Sequence, residues 1–183
     1  MKIIVLGAIG NLGSRFAAQA ATAGHEVVAF ARRRKAVTVQ SGITTAKGSA
    51  EVLDTLATAA HGADALLVSI TGSMKDTTFM QRTLPHITAA ASHTGVSRKI
   101  LVHVLGAGDT ARQASGFARM VYRSVLCKFF DDKAVADQKL PASDLEWTIV
   151  YPVNLNDAPA MPERATVKEL SHVKSIPGLP ARC

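Results

Sequence analysis

The sequence predicts an α/β domain built on a doubly wound parallel sheet with helices on both faces. Strand-like apolar runs alternate with helical patterns along most of the chain. The first run, Lys2 to Leu6, passes directly into Gly7-Ala8-Ile9-Gly10-Asn11-Leu12-Gly13, three glycines spaced three apart at the mouth of a helical pattern. Strands separated by helices of about ten to fifteen residues imply right-handed crossovers and a parallel sheet covered on both sides.

The run KIIVL is too short to classify by periodicity alone, but the glycines after it favour a buried strand. From Leu12 to Ala23 the pattern turns helical and alanine-rich, with Leu12, Phe16, Gln19 and Ala20 near one face, and Gly24 supplies a stop. A second strand, Glu26 to Ala31, ends on the cations Arg32-Arg33-Arg34-Lys35. A weaker third strand lies at Ile43 to Ala46, followed by a helix from Ala50 to Ala60 with Val52, Leu53, Leu56 and Ala57 as its apolar stripe. Ala65 to Ile70 is a fourth strand. The next helix carries Leu84, Ile87, Ala90 and Ala91, starts near Pro85, which a first turn tolerates, and closes at Gly95. Lys99 to Leu105 makes a fifth strand and Trp147 to Tyr151 a sixth, with helical material from Ala114 to Lys139 between them. No internal repeat, low-complexity segment or linker precedes residue 157, so residues 1–157 read as one domain; residues 158–183 carry four prolines and read as an irregular C-terminal segment.

Composition narrows the function classes. With 183 residues, 48% of them hydrophobic, the chain is long enough for one well-buried core. Charge or glycine interrupts every apolar run before the roughly 18 residues a membrane helix needs, and the N-terminus lacks a secretory pattern, so a cytoplasmic protein with no membrane partner is expected. Cys127 and Cys183 are far apart and lack metal-type spacing, and the histidines share no spacing, so no metal site is expected. The net charge of +7 would suit an anionic partner, yet only nine aromatic residues are present and none stands beside the basic cluster, which argues against nucleic acid.

The glycine loop points to a phosphate-bearing ligand. In a doubly wound sheet, ligands bind at the carboxyl ends of the strands where strand order reverses, and the first strand-to-helix turn lies there. Gly7, Gly10 and Gly13 suit a sharp turn, a close approach of phosphate and tight helix packing, and the helix behind them aims its N–H groups and positive end at the same spot. A strand before and a helix after supply the context that a dinucleotide motif requires. An Asp or Glu about 20 residues past the motif would mark NAD(H). Here Arg32 and Arg33 stand at that place, as expected where a guanidinium fork holds a 2′-phosphate, so NADP(H) is favoured over NAD(H), with a solvated basic turn as the competing explanation.

The segments KIIVLGAIGNLG, VVAFAR, KGSAEVLDTLATAAHGADALLVS, AASHTGVSRKILVHVLGAG and DDKAVADQKLPASDLEWTIVYPVNLND occur in the order of a known family and span residues 1–157 almost completely. The chain resembles the atypical short-chain dehydrogenase/reductases of the NAD(P)-binding, NmrA-like group, and is most similar there to the flavin reductase/biliverdin reductase B type. The resemblance implies a Rossmann-like domain. It also implies cofactor contacts from Gly7, Ala8, Ile9, Gly10, Asn11, Leu12 and Gly13, from Arg32 and Arg33, from Ser69, Ile70 and Thr71, and from Pro152 and Val153. Lys133 holds the position of a lysine that relatives place near the ribose, and is the candidate catalytic residue.

Several positions depart from that family. Ile9 stands where threonine is usual and offers volume in place of a hydroxyl, which weakens or repositions phosphate binding without abolishing it. Ser49 replaces the acidic residue common after the third strand. Phe129, four residues before Lys133, replaces the catalytic tyrosine, and Val102-His103-Val104-Leu105-Gly106 lacks the expected serine. Carbonyl chemistry that relies on a tyrosine acid is therefore not expected. Hydride transfer from NADPH to a planar acceptor such as a flavin, tetrapyrrole or quinone is, since the reduced cofactor performs the hard step. The alternative is a non-catalytic, NmrA-like redox sensor or scaffold. His103 has the right intrinsic pKa for an acid, but within an apolar strand it reads as a packed histidine. Relatives continue past the proline-rich stretch with another helix, whereas this chain stops at Cys183. Truncation there is expected to expose apolar surface and to favour a homodimer, another protein partner or reduced stability.

Overall fold

Five short stretches of chain, each apolar on both sides or alternately so, line up into a sheet to which a sixth is added. The computed structural model describes residues 1–33, 40–73, 76–103, 131–133, 135–136, 140, 146–150 and 152. In chain order these residues form β1 (Lys2–Leu6), α1 (Asn11–Thr22), β2 (Glu26–Ala31), β3 (Ile43–Lys47), α2 (Leu53–Ala60), β4 (Ala65–Val68), α3 (Phe79–Thr94), β5 (Arg98–Val102) and β6 (Trp147–Val150). The six strands form one sheet in the order β3-β2-β1-β4-β5-β6, every neighbouring pair parallel. Winding runs outward from β1 in one direction and from β4 in the other, so strand order reverses between them. This is the Rossmann-like α/β fold.

Alternate residues of β1 serve opposite faces. Ile4 and Leu6 join Val28, Phe30, Leu66 and Val68 in a core closed by Leu56 of α2 and Met80, Leu84 and Ile87 of α3. Ile3 and Val5 join Val27, Ala29 and Leu67 in a second core closed by Ala17 and Ala20 of α1. Burial on both faces explains why the central strands read as continuous apolar runs.

The structure corrects several local expectations. The buried face of α1 is Gly13, Ala17 and Ala20, whereas Gln19 is exposed and Leu12 and Phe16 are half-buried. The contact stripe is set by the smallest residues because α1 lies close against the sheet. Helix α2 starts at Leu53, and Val52, placed in its stripe by periodicity, is an extended residue ahead of the helix, 46% exposed. Helix α3 starts at Phe79, six residues before the expected Pro85, and carries that proline in its interior. The buried Asp132 carboxylate explains the early start: Oδ2 accepts the Met80 N–H at 2.8 Å and Oδ1 the Gln81 N–H at 3.0 Å. These are first-turn donors with no partner inside the helix. That cap, with the burial of Met80 and Leu84, outweighs the one hydrogen bond Pro85 removes. Strands β4 and β5 end at Val68 and Val102, which places Ser69, Ile70 and His103 just beyond them. Of the helical material expected at Ala114 to Lys139, residues 131–133, 135 and 136 are helical and the remainder lies outside the described residues, as does Tyr151. Both long helices end as read, on left-handed glycines: Gly24 at φ +84° after α1 and Gly95 at φ +65° after α3. Among the described residues no helix is long and apolar enough to cross a membrane.

Because Asp132 satisfies two otherwise orphaned amides from a buried position, Asp132→Ala is expected to destabilise the fold by about 1–3 kcal/mol. The check is a urea denaturation midpoint, which an unaffected variant would leave in place.

Candidate functional site

The turn from β1 to α1 is shaped by what its glycines lack. Gly7 sits at φ +85°, and a Cβ there would fall inside the Ser69 carbonyl at the end of β4. A Cβ on Gly13 would run into the Gly7 carbonyl. Both glycines therefore permit close packing of backbone on backbone. Gly10 differs: its nearest neighbour would be the Gly7 carbonyl oxygen at 3.3 Å, and it lines an open cavity. Gly10 is also the N-cap of α1, extended at φ −81° and ψ 163°, with no side-chain cap. Its own N–H donates to the Gly7 carbonyl at 2.9 Å. The amides of the first turn beyond it have no acceptor inside the helix, and the positive end of the helix dipole coincides with them.

The cavity, about 620 Å³, lies across the carboxyl ends of β1, β2, β3 and β4. The glycine loop contributes Gly7, Ile9, Gly10, Asn11 and Leu12; the end of β2 contributes Phe30, Ala31 and Arg32; the β3 exit contributes Gly48, Ser49, Ala50 and Glu51. The remaining wall is Ser69 to Ser73 after β4, with Asp76 and Phe79. This is the crevice at the reversal of strand order where doubly wound sheets bind ligands. Glu51 and Asp76 share one partner, Arg82 of α3, at 3.0 and 2.8 Å. The Arg82 guanidinium holds the Asp76 carboxyl below the usual carboxylate range, and the two carboxylates raise the pKa of Arg82 in turn.

Most sequence-predicted positions converge here. Gly7, Ile9, Gly10, Asn11, Leu12, Arg32, Ser69, Ile70 and Thr71 line the cavity. Ile9 is among these lining residues and is 46% exposed. Ala8 and Gly13 are buried behind the loop, and Arg33 is exposed outside the lining. Pro152 is half-buried and not part of the lining; Val153, Phe129, Arg34, Lys35, Cys127 and Cys183 lie outside the described residues. Lys133 is 1% exposed, among the most deeply buried side chains, and is not part of the lining either. His103 is 2% exposed and its backbone N–H donates to the Val150 carbonyl at 2.9 Å, which agrees with a packed histidine. The hydroxyl of Ser49, at the position of the missing acid, accepts the Glu51 N–H at 3.3 Å. Among the described residues no group of His, Cys, Asp or Glu is placed to hold a metal ion.

Sequence reasoning missed Phe30, Gly48, Gly72, Phe79 and the carboxylates of Glu51 and Asp76. The signal for four of them is a glycine opposite an aromatic ring. A Cβ on Gly48 would lie 2.5 Å from the tip of the Phe30 ring, and one on Gly72 2.6 Å from the Cβ of Phe79. Each glycine stands just past a strand, at the cavity wall.

A family model for NAD(P)H-binding proteins matches residues 7–177. No curated protein sequence matches the chain significantly. Among solved structures, the anaerobilin reductase ChuY from Escherichia coli O157:H7 is 26% identical, with a TM-score of 0.72 over 87% of this chain and 76% of its own. The oxidoreductase YlbE from Lactococcus lactis is 22% identical, with a TM-score of 0.73 over 87% of this chain and 72% of its own. A short-chain dehydrogenase/reductase from Veillonella parvula, solved in complex with NADP, is 20% identical, with a TM-score of 0.68 over 86% of this chain and 71% of its own. The last two show the shared fold alone.

The unequal surroundings of the glycines give a direct test. Gly13→Ala is expected to lower stability by about 1–3 kcal/mol, because its neighbour is backbone that cannot yield. Gly10→Ala is expected to lose clearly less, since one carbonyl must shift by only a few tenths of an ångström. Chemical denaturation of the two variants side by side reads the difference.

Proposed function

The chain belongs to the NAD(P)H-binding family, and from that premise we propose that it is an NADPH-dependent reductase that passes hydride to a planar acceptor such as a flavin, a linear tetrapyrrole or a quinone. The observation that carries the reading is the pairing, in one cavity, of an uncapped helix N-terminus at Gly10 with Arg32 at the end of β2. The first is suited to a pyrophosphate, the second to a 2′-phosphate. No carboxylate follows β2 to accept a ribose 2′-hydroxyl, the local residues being Ala31, Arg32, Arg33, Arg34 and Lys35.

The residues present fit such a cofactor. The amides of Asn11 and Leu12 would face the pyrophosphate, with Gly10 leaving room for its approach, and Arg32 would grip the 2′-phosphate through its planar fork. Ile70, Thr71 and the ring of Phe79 would form the wall that excludes water from the reacting end. Bound NADPH supplies the hydride. With Phe129 in place of a tyrosine and no serine at Val102-His103-Val104, the chain offers no hydroxyl acid of the short-chain dehydrogenase kind, which suits an acceptor that needs little help from an enzyme acid. The assignment of the 26% identical ChuY as an anaerobilin reductase supports the reductase class.

A second reading is a dinucleotide-binding redox sensor or scaffold without turnover, which the missing tyrosine and serine fit equally well.

The deciding assay mixes the protein with NADPH and either FMN or a linear tetrapyrrole and follows the cofactor's absorbance. Oxidation is expected; tight NADPH binding with no oxidation by any acceptor supports the sensor. Arg32→Ala is expected to weaken NADPH about tenfold or more and to leave NADH nearly unchanged, as loss of a charge-assisted phosphate contact requires. Equal binding of NADPH and NADH, unaffected by that substitution, would contradict the assignment of Arg32.

A further inference from the structure

Arg82 lies outside the cavity lining, yet it reaches both carboxylates that belong to it. Its Nη2 donates to Glu51 Oε1 at 3.0 Å and to Asp76 Oδ2 at 2.8 Å. Its Nη1 donates to Asp76 Oδ1 at 3.0 Å and to Thr78 Oγ1 at 2.6 Å, and its Nε donates to Glu51 Oε1 at 3.3 Å. Glu51 stands between β3 and α2 and Asp76 between β4 and α3, so a single guanidinium spans two walls of the cleft. The planar fork makes this possible, since one edge faces the Asp76 carboxylate in bidentate fashion while the other meets Glu51.

The pairing contributes little to stability. Side-chain exposures of 48% for Arg82, 41% for Glu51 and 34% for Asp76 mean that water screens all three. Its consequence lies in the charge of the cleft. Among the described residues the charged ones that line the cleft are Arg32, Glu51 and Asp76, together −1, facing a ligand with several phosphate charges. Arg82 brings that balance to zero. An ordinary carboxylate is ionised near neutral pH, so protonation does not relieve the repulsion when the guanidinium is removed.

We propose that Arg82 is a specificity-determining residue: by neutralising Glu51 and Asp76 it allows the cleft to accept a polyanionic dinucleotide, and its loss penalises NADPH more than NADH. This rests on the reading of the cleft as a dinucleotide site. Arg82 acts through the two carboxylates without touching the ligand, and the 2′-phosphate makes NADPH the more sensitive probe.

The test is fluorescence titration of NADPH and NADH into the full chain at about 0.1 M and about 1 M salt, where the screening length falls from about 10 Å to about 3 Å. Arg82→Met is expected to weaken NADPH about tenfold and NADH about threefold at low salt, with most of the loss gone at high salt. Arg82→Lys, which keeps the charge without the fork, is expected to stay within about threefold of wild type. The triple variant Arg82→Met, Glu51→Gln, Asp76→Asn is expected to recover NADPH binding to within about twofold, although the bridge between the loops is absent. Equal, salt-independent losses for both dinucleotides, without recovery in the triple variant, would show a structural strap and overturn the proposal. Wild-type protein that takes up neither dinucleotide would overturn the cleft reading and this proposal together. Wild-type binding with an unaffected Arg82→Met variant would overturn this proposal alone.

Discussion

The tightest constraint among the described glycines is the contact of three backbone segments at the reversal of strand order. The turn after β1 presses on the Ser69 carbonyl at the end of β4, and α1 presses on that turn through Gly13. No side chain fits at Gly7 or Gly13, so these positions fix how low α1 sits on the sheet. The small residues Ala17 and Ala20 continue the same close approach along the helix. With α1 held there, its N-terminus opens onto the crevice between the two halves of the sheet, and the first-turn amides become part of a cavity wall. The cavity is thus a by-product of close packing, with Gly10 as the one glycine of the loop whose missing side chain serves the cavity more than the fold.

The opposite wall is set from α3. Asp132 anchors the first turn of that helix by accepting two of its amides, and Phe79 and Arg82 stand on either side of those amides. Phe79 reaches the cavity against Gly72, and Arg82 reaches round to Glu51 and Asp76. A buried carboxylate far along the chain therefore determines where an aromatic wall and a charge-neutralising cation are placed. Lys133, adjacent to Asp132, is carried into the interior by the same segment.

Legibility in the sequence follows the range of the interactions concerned. The strands, the glycine loop and the left-handed helix ends are local, and their residues announce them: β1, β2 and β3 fall where apolar runs predict, and Gly24 and Gly95 stop helices as expected. The crevice was legible too, because Gly7 to Leu12, Arg32 and Ser69 to Thr71 all stand at strand exits. The start of α3 was not, since its cap is Asp132, 52 residues beyond Met80. Nor was the buried face of α1, because a hydrophobicity pattern ranks Leu12 and Phe16 above Gly13, whereas close packing ranks them below it. The triad of Glu51, Asp76 and Arg82 joins two loops and a helix, so no spacing in the sequence reveals it.

Ile9 and Ser49 both stand at the cavity, where the loop glycines and Arg32 keep the features that suit a phosphate. The central claim is that this cleft holds NADP(H) with its pyrophosphate on the N-terminus of α1. A crystal structure of the complex with NADP⁺ tests it most directly. The account predicts phosphate oxygens on the amides of Asn11 and Leu12 beside Gly10, with the 2′-phosphate on Arg32. A dinucleotide bound elsewhere, or one whose 2′-phosphate turns away from Arg32, would contradict it.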